Sequence, residues 1–180
     1  MTCLRAGMYH VRFASLGVSL LVGSLSAQAP SFTIFGTPCA IDPPPLSALS
    51  QPRIGQPFQL QARSGGSTGV PYEGGMAAAV VAGFSRTSWL GVPLPWTPAT
   101  MGSLLPGVGS CGDLEIAADM PMFLPFQMPR GPVTLTISIP NDLGLVGLHL
   151  YFQPVDYRGN LTHQTLGLYL GSAAEAIVGV

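Results

Sequence analysis

The chain has 180 residues, of which 8% are charged and 47% hydrophobic, and its formal net charge is −1. An average protein is about 25% charged, and disorder needs few apolar groups and much charge, so this composition excludes a disordered chain. There is no Lys and the Arg residues are dispersed, which removes the basic footprint that a nucleic acid or an anionic membrane surface would need.

Residues 1–29 read as a secretory signal peptide. Arg5 and Arg12 provide a basic region, Phe13–Leu25 an apolar run, and Ala27-Gln28-Ala29 the small side chains at a peptidase site. Pro30 disfavours cleavage after Ala29, so cleavage after Ala27 is the alternative. The apolar run is shorter than the roughly 20 residues that span a bilayer, which favours secretion over anchoring. The mature chain is therefore expected to be secreted, extracellular or periplasmic, with no membrane anchor. Once Arg5 and Arg12 are removed, five Arg face eight acids, a formal charge of −3. Cys3 leaves with the leader. Cys39 and Cys111 remain, and an even count in an exported chain favours one disulfide between them over two separate buried thiols.

Residues 30–52 are Pro-rich and read as an irregular lead-in pinned at Cys39. Asp42-Pro43-Pro44-Pro45 favours extended polyproline geometry. Residues 57–63 alternate, with Phe58, Leu60 and Ala62 against Gln59, Gln61 and Arg63, and predict the first strand. Ser64–Gly75 is a Gly-rich loop. Met76–Phe84 is a continuous apolar run, favoured as a strand buried on both faces, with an Ala-driven helix as the competitor. Trp89–Trp96 reads as an extended aromatic and Pro segment. Thr97 as N-cap with Pro98 at the first position opens one helical turn, closed at Gly102.

Gly107–Gly112 turns the chain at Cys111. Leu114–Ala118 alternates as a further strand, and Met120–Met128, with two Pro, reads as an edge segment. The clearest signal is in Gly131–Asp156. Val133, Leu135, Ile137 and Ile139 fall on one face and Thr134, Thr136 and Ser138 on the other. After Pro140-Asn141-Asp142 a second run places Leu148, Leu150 and Phe152 inward and His149, Tyr151 and Gln153 outward. Tyr157–Asn160 is a turn, and Gln164–Leu170 and Ala174–Val178 are the last strands. The prediction is an all-β fold, a two-layer antiparallel β-sandwich of about seven strands over residues 53–180.

The order of these landmarks resembles a class of small exported β-sandwich domains common in planctomycete bacteria. Gly36-Thr37-Pro38-Cys39 is similar to their Gly-x-x-Cys lead-in, and Pro52–Leu60 to a Pro-x-Ile-Gly-x-x-Phe-x-Leu strand shifted across Gln56-Pro57. Val92–Pro95 matches a Leu-Pro-Leu-Pro-type segment, Gly109-Ser110-Cys111 a Gly-x-Cys turn, and Ile139–Asp142 an Ile-Pro-Asn-Asp turn. Tyr151–Gln153 with Asp156, and Leu166–Leu168, match the closing motifs. The Gly-Asn-like turn before the final strand is missing here. The resemblance covers nearly the whole mature chain and implies fold and export. It carries no activity.

Catalytic chemistry finds little support. Nucleophilic catalysis needs a nucleophile, a base and an orienting group. Beyond the leader the His are His149, on a strand face, and His163. Ser67 in Gly65–Gly69 lacks the strand–turn–helix setting of a nucleophile elbow. Asp113, Glu115 and Asp119 are the nearest carboxylate group for glycoside hydrolysis, but Asp113 and Glu115 read as a solvated face. Asp142 and Asp156 flank the central strand pair without a calcium-loop pattern, and zinc has too few ligands. No cofactor is expected. Asn160-Leu161-Thr162 is a glycosylation sequon, meaningful only in a eukaryotic host. Trp89 and Trp96 could stack on a sugar, and otherwise cap the core. The expected function is a secreted, non-catalytic binding or structural module with a polysaccharide or matrix partner. The alternative is a small extracellular hydrolase with an unrecognised site.

Overall fold

The computed structural model describes residues 27–40, 43–63, 76–123, 132–160 and 165–180. They form an all-β fold of short strands with one α-helix.

The smaller sheet is built on the clearest alternation. β9 (Val133–Ser138) pairs antiparallel with β3 (Pro57–Ala62), and Ile137 stands opposite Phe58 and Leu135 opposite Leu60. β2 (Leu46–Ala48) pairs with the other edge of β3. Period-two placement sends Phe58, Leu60 and Ala62 into the core with Val133, Leu135 and Ile137, while Thr134, Thr136 and Ser138 are exposed.

The larger sheet is organised on β10 (His149–Asn160). Residues 151–158 pair along one edge with β4 (Met76–Gly83). On the other edge, residues 149–152 pair with β12 (Ala173–Ile177) and residues 155–160 with β11 (Thr165–Leu170). β1 (Ser31–Phe35) extends the sheet beyond β12, β7 (Val108–Cys111) runs parallel to β11, and β8 (Met120–Phe123) pairs with β4. Phe152, Val80, Ala82, Ala176 and Val178 meet Phe58 and Leu60 of the smaller sheet in the main core. Phe58 lies 6.0 Å from Phe152 and 6.1 Å from Phe32, ring centre to ring centre.

The opposite face of the larger sheet is covered by chain rather than by a second sheet. After β4 the backbone makes a hairpin of β5 (Ser88–Trp89) and β6 (Val92–Pro93), then α1 (Pro98–Leu104), β7, and an irregular return over residues 112–118. This excursion builds two further clusters. One holds Trp96, Met101, Leu114 and Leu170, the other Ile116, Tyr151 and Ala173.

Cys39 and Cys111 are joined in a disulfide, with their Cα atoms 4.8 Å apart. Beside it the Cys39 amide donates to the Leu170 carbonyl at 2.8 Å. Gly112, at φ +85°, makes this approach possible. A Cβ there would lie 2.7 Å from the Cys39 nitrogen and 2.9 Å from the Leu170 oxygen.

Several expectations are corrected. The 30–52 lead-in is not irregular throughout, since it contributes β1 to the larger sheet and β2 to the smaller. Leu114–Ala118 is not a strand. Only Leu114 bridges, to Trp96, and both Ile116 and its neighbour Ala117 are buried, so the apparent alternation does not report one wet face. Trp89–Trp96 folds into a hairpin instead of running extended, and α1 continues past Gly102 to Leu104. Tyr157–Asn160 is no turn but the end of β10. β9 and β10 are not a hairpin: they lie in different sheets, linked by a 3-10 turn at Leu143–Leu145 that Asp142 caps. Tyr151 and Gln153 are not outward, because the 84–118 excursion covers that face. The Thr97 cap and Pro98 start are observed, and β8 is an edge of the larger sheet over Met120–Phe123. Most of the proposed leader, Ser67 and His163 lie outside the described residues.

Candidate functional site

The second face of the larger sheet is covered unevenly, and the end where the cover thins, at half-exposed His149, is the candidate site. Strand register assembles it. Tyr151 on β10 stands opposite Glu175 on β12 and opposite Gly83 on β4. Glu175 in turn stands opposite Thr33 on β1, and Phe35 opposite Ala173. Period-two geometry therefore puts Thr33, Phe35, Tyr151, His149 and Glu175 on one face.

The side chains form a connected group. His149 Nδ1 lies 2.7 Å from Glu175 Oε1, with the imidazole half exposed. Tyr151 also hydrogen-bonds Glu175. The His149 and Tyr151 rings stack at 6.3 Å, and Phe35 meets Tyr151 edge-on at 6.4 Å. The Arg86 guanidinium sits 5.6 Å over the Phe35 ring, a cation–π placement. Hydrogen bonding from His149, opposed by burial and aided by Tyr151, holds the Glu175 carboxyl below the usual carboxylate range. Burial, and then the contact with Glu175, pushes the Tyr151 phenol above its usual range.

Gln153, two residues along the same face, is fully buried. Its Nε2 donates to the Asp113 carbonyl at 2.7 Å and the Gly171 carbonyl at 2.9 Å, and its Oε1 accepts from the Glu115 amide at 3.0 Å. This amide ties the 112–118 return to the sheet and marks where the cover ends.

The group offers hydrogen-bond donors and acceptors, a cation and aromatic edges on a sheet surface. An imidazole hydrogen-bonded to a carboxylate is two thirds of a nucleophilic relay. Among the described residues, no hydroxyl or thiol hydrogen-bonds to the His149 ring.

The residues picked out by the sequence fall elsewhere. Trp96 is 4% exposed and sits in the small core with Met101, Leu114 and Leu170. The partly buried Trp89 packs against it, with ring centres 4.9 Å apart. The pair thus spends its apolar surface inside the molecule. Above it the hairpin tip carries Leu90, 79% exposed, with both Leu90 and Gly91 at positive φ, the geometry of a mirror-image two-residue turn.

Asp113, Glu115 and Asp119 do not converge as a catalytic pair: Glu115 Oε1 accepts the Thr37 amide at 2.8 Å and Asp119 Oδ2 the Phe84 amide at 3.2 Å. Asp142 is exposed and accepts from Gly144, whereas Asp156 is buried on the main-core side of β10. Among the described residues no three His, Cys, Asp or Glu side chains gather in a way that could hold a metal ion.

Sequence reasoning named His149 without its partner. Glu175 lies 26 residues away, and only the β10–β12 register joins them. No family model matches the chain, and no curated protein and no solved structure matches it.

Proposed function

We propose that the protein is an exported, non-catalytic binding module whose contact surface is the Arg86–Phe35–Tyr151–His149–Glu175 face. The observation that carries this reading is the closure of the group upon itself. The carboxylate is committed to His149 and Tyr151, the guanidinium to an aromatic ring, and no described nucleophile engages the imidazole. Such a surface recognises a ligand through hydrogen bonds and ring contacts and leaves its bonds intact. The disulfide supports an oxidising compartment, and no helix of the described residues is long and apolar enough to cross a membrane. The disulfide favours export, as the resemblance to exported sandwich domains also implies.

A hydroxyl-rich polymer, a polysaccharide or matrix glycan, suits this mixture of donors, acceptors and aromatic edges. A binding screen of glycans and matrix polymers on the purified oxidised protein tests the reading. Retention of a glycan by the wild type and its loss in Arg86→Ala and His149→Ala are the expected results. Binding that survives both substitutions overturns the assignment of the surface. Turnover of ester or glycoside substrates abolished by His149→Ala would establish the hydrolase alternative.

A further inference from the structure

The ladder between β1 and β12 starts before β1. Ser31 stands opposite Ile177, and three residues further along the same register the Val180 amide donates to the Gln28 carbonyl at 3.3 Å. Residues 28–30 lie directly on the backbone of buried Gly179. A Cβ there would sit 2.3 Å from the Pro30 nitrogen and 2.5 Å from the Gln28 carbonyl oxygen. The folded domain therefore uses the chain from Gln28 onward, ahead of the start that cleavage after Ala29 would leave.

The chemistry of Pro30 agrees. As the nitrogen of the Ala29–Pro30 peptide bond it carries neither proton nor charge, so it can lie against a buried glycine. Cleavage after Ala29 would turn it into a secondary ammonium, which needs water or acceptors, at that same contact. It would also remove the acceptor of the Val180 amide. A signal peptidase meets the chain before it folds, and there Pro30 acts through sequence, since it lacks an N–H and has a fixed φ just past the scissile bond. Cleavage after Ala27 escapes Pro30, keeps a small residue before the cut and leaves the ladder whole.

We propose that the mature chain begins at Gln28 and that this residue closes to a pyroglutamate. The α-amine of Gln28 attacks its own side-chain Cδ. The new N–Cδ bond closes a γ-lactam and the Cδ–Nε2 bond breaks. Nε2 leaves as ammonia, taking up the proton that the amine gives up, so no oxidant, reductant or second substrate is needed. Both groups belong to one residue, which makes their effective concentration high. Gln28 is exposed, so packing does not hold them apart. The product is a neutral, blocked N-terminus whose carbonyl still accepts from Val180. The inference rests on the export reading and is independent of the glycan surface.

The test is expression of the full chain with its own leader in a Gram-negative host, recovery from the periplasm, and intact-mass analysis with N-terminal peptide mapping. The expected product spans residues 28–180 and is lighter by one ammonia. Edman degradation should be blocked and, after pyroglutamyl aminopeptidase, should read from Ala29. Gln28→Glu, whose carboxylate is a far poorer acceptor for ring closure, should start at the same position with a free amine. Pro30→Ala should shift the start to residue 30, and the Val180 amide of that product should exchange faster than in the wild type. A periplasmic wild-type chain that starts at Pro30, or at Gln28 with a free amine, overturns the proposal. A chain that keeps Met1 overturns the export reading beneath it.

Discussion

Gln153 Nε2 donates to the Asp113 carbonyl at 2.7 Å, tying the middle of β10 to the chain that crosses it. The same side chain satisfies the Gly171 carbonyl and the Glu115 amide. A leucine of similar size would fill the space and leave three backbone groups without partners. We expect Gln153→Leu to cost about 3 kcal/mol, since each polar group left unsatisfied on burial costs about 1–3 kcal/mol. Denaturant unfolding measures this. A loss under about 0.5 kcal/mol, the size of an ordinary surface substitution, would mean that water replaces the amide at no cost.

Adjacent positions of β9 should respond oppositely to charge. Ile137 packs into the main core opposite Phe58, while Thr136 is exposed. Ile137→Asp should destabilise by several kcal/mol, as an unpaired charge is forced against apolar neighbours. Thr136→Asp should stay within about 0.5 kcal/mol. Equal melting temperatures for the two variants would contradict the register.

The disulfide closes a loop with a sequence separation of 72, for which chain entropy gives about 4 kcal/mol as an upper bound. Cys39→Ser/Cys111→Ser should therefore melt at a lower temperature yet keep its strands. β1 is paired with β12 regardless, so the loosening should centre on the chain around Cys39. Hydrogen exchange should show faster exchange of the backbone amide at position 39, which in the wild type donates to Leu170, and little change in β1.

The Glu175 carboxyl sets an acid dependence of stability. Its pKa in the folded protein lies below the ordinary 4.5, so folding favours the ionised form. That contribution is complete above 4.5 and is lost as the pH falls through the lower folded value. Glu175→Gln should be less stable than wild type at neutral pH, and the difference should shrink on acidification below 4.5. Thermal melts across that range measure it. A difference independent of pH would mean that the charge contributes nothing.

The Tyr151 phenol offers the converse test. Its pKa is raised above 10.0, so the protonated form is favoured in the folded state. Its contribution is present below 10.0 and is lost as the pH rises through the raised value. Spectrophotometric titration should show a tyrosine step above 10.0, and Tyr151→Phe should remove that step.

The sequence by itself determined the local terms. Alternation along residues 57–63 and 133–139 located β3 and β9 and sorted their side chains by face, because period two acts within a single strand, whereas their pairing with each other came from the fold. Thr97 and Pro98 placed the start of α1, because cap and first-turn chemistry acts over three residues. Cys39 and Cys111, the two cysteines beyond the expected leader, pointed to one disulfide once an oxidising compartment was assumed, and the fold joins them. What the sequence did not carry was the partner of each face. Gln153 and Tyr151 look like a wet face, yet both are buried, because a polar side chain enters the interior whenever distant backbone groups meet it. Likewise His149 and Glu175 form one site only because β12 lies beside β10, and Trp96 turns inward only because α1 and Leu114 supply a small core for it. Those contacts join residues far apart in the chain, and only the tertiary arrangement could decide them.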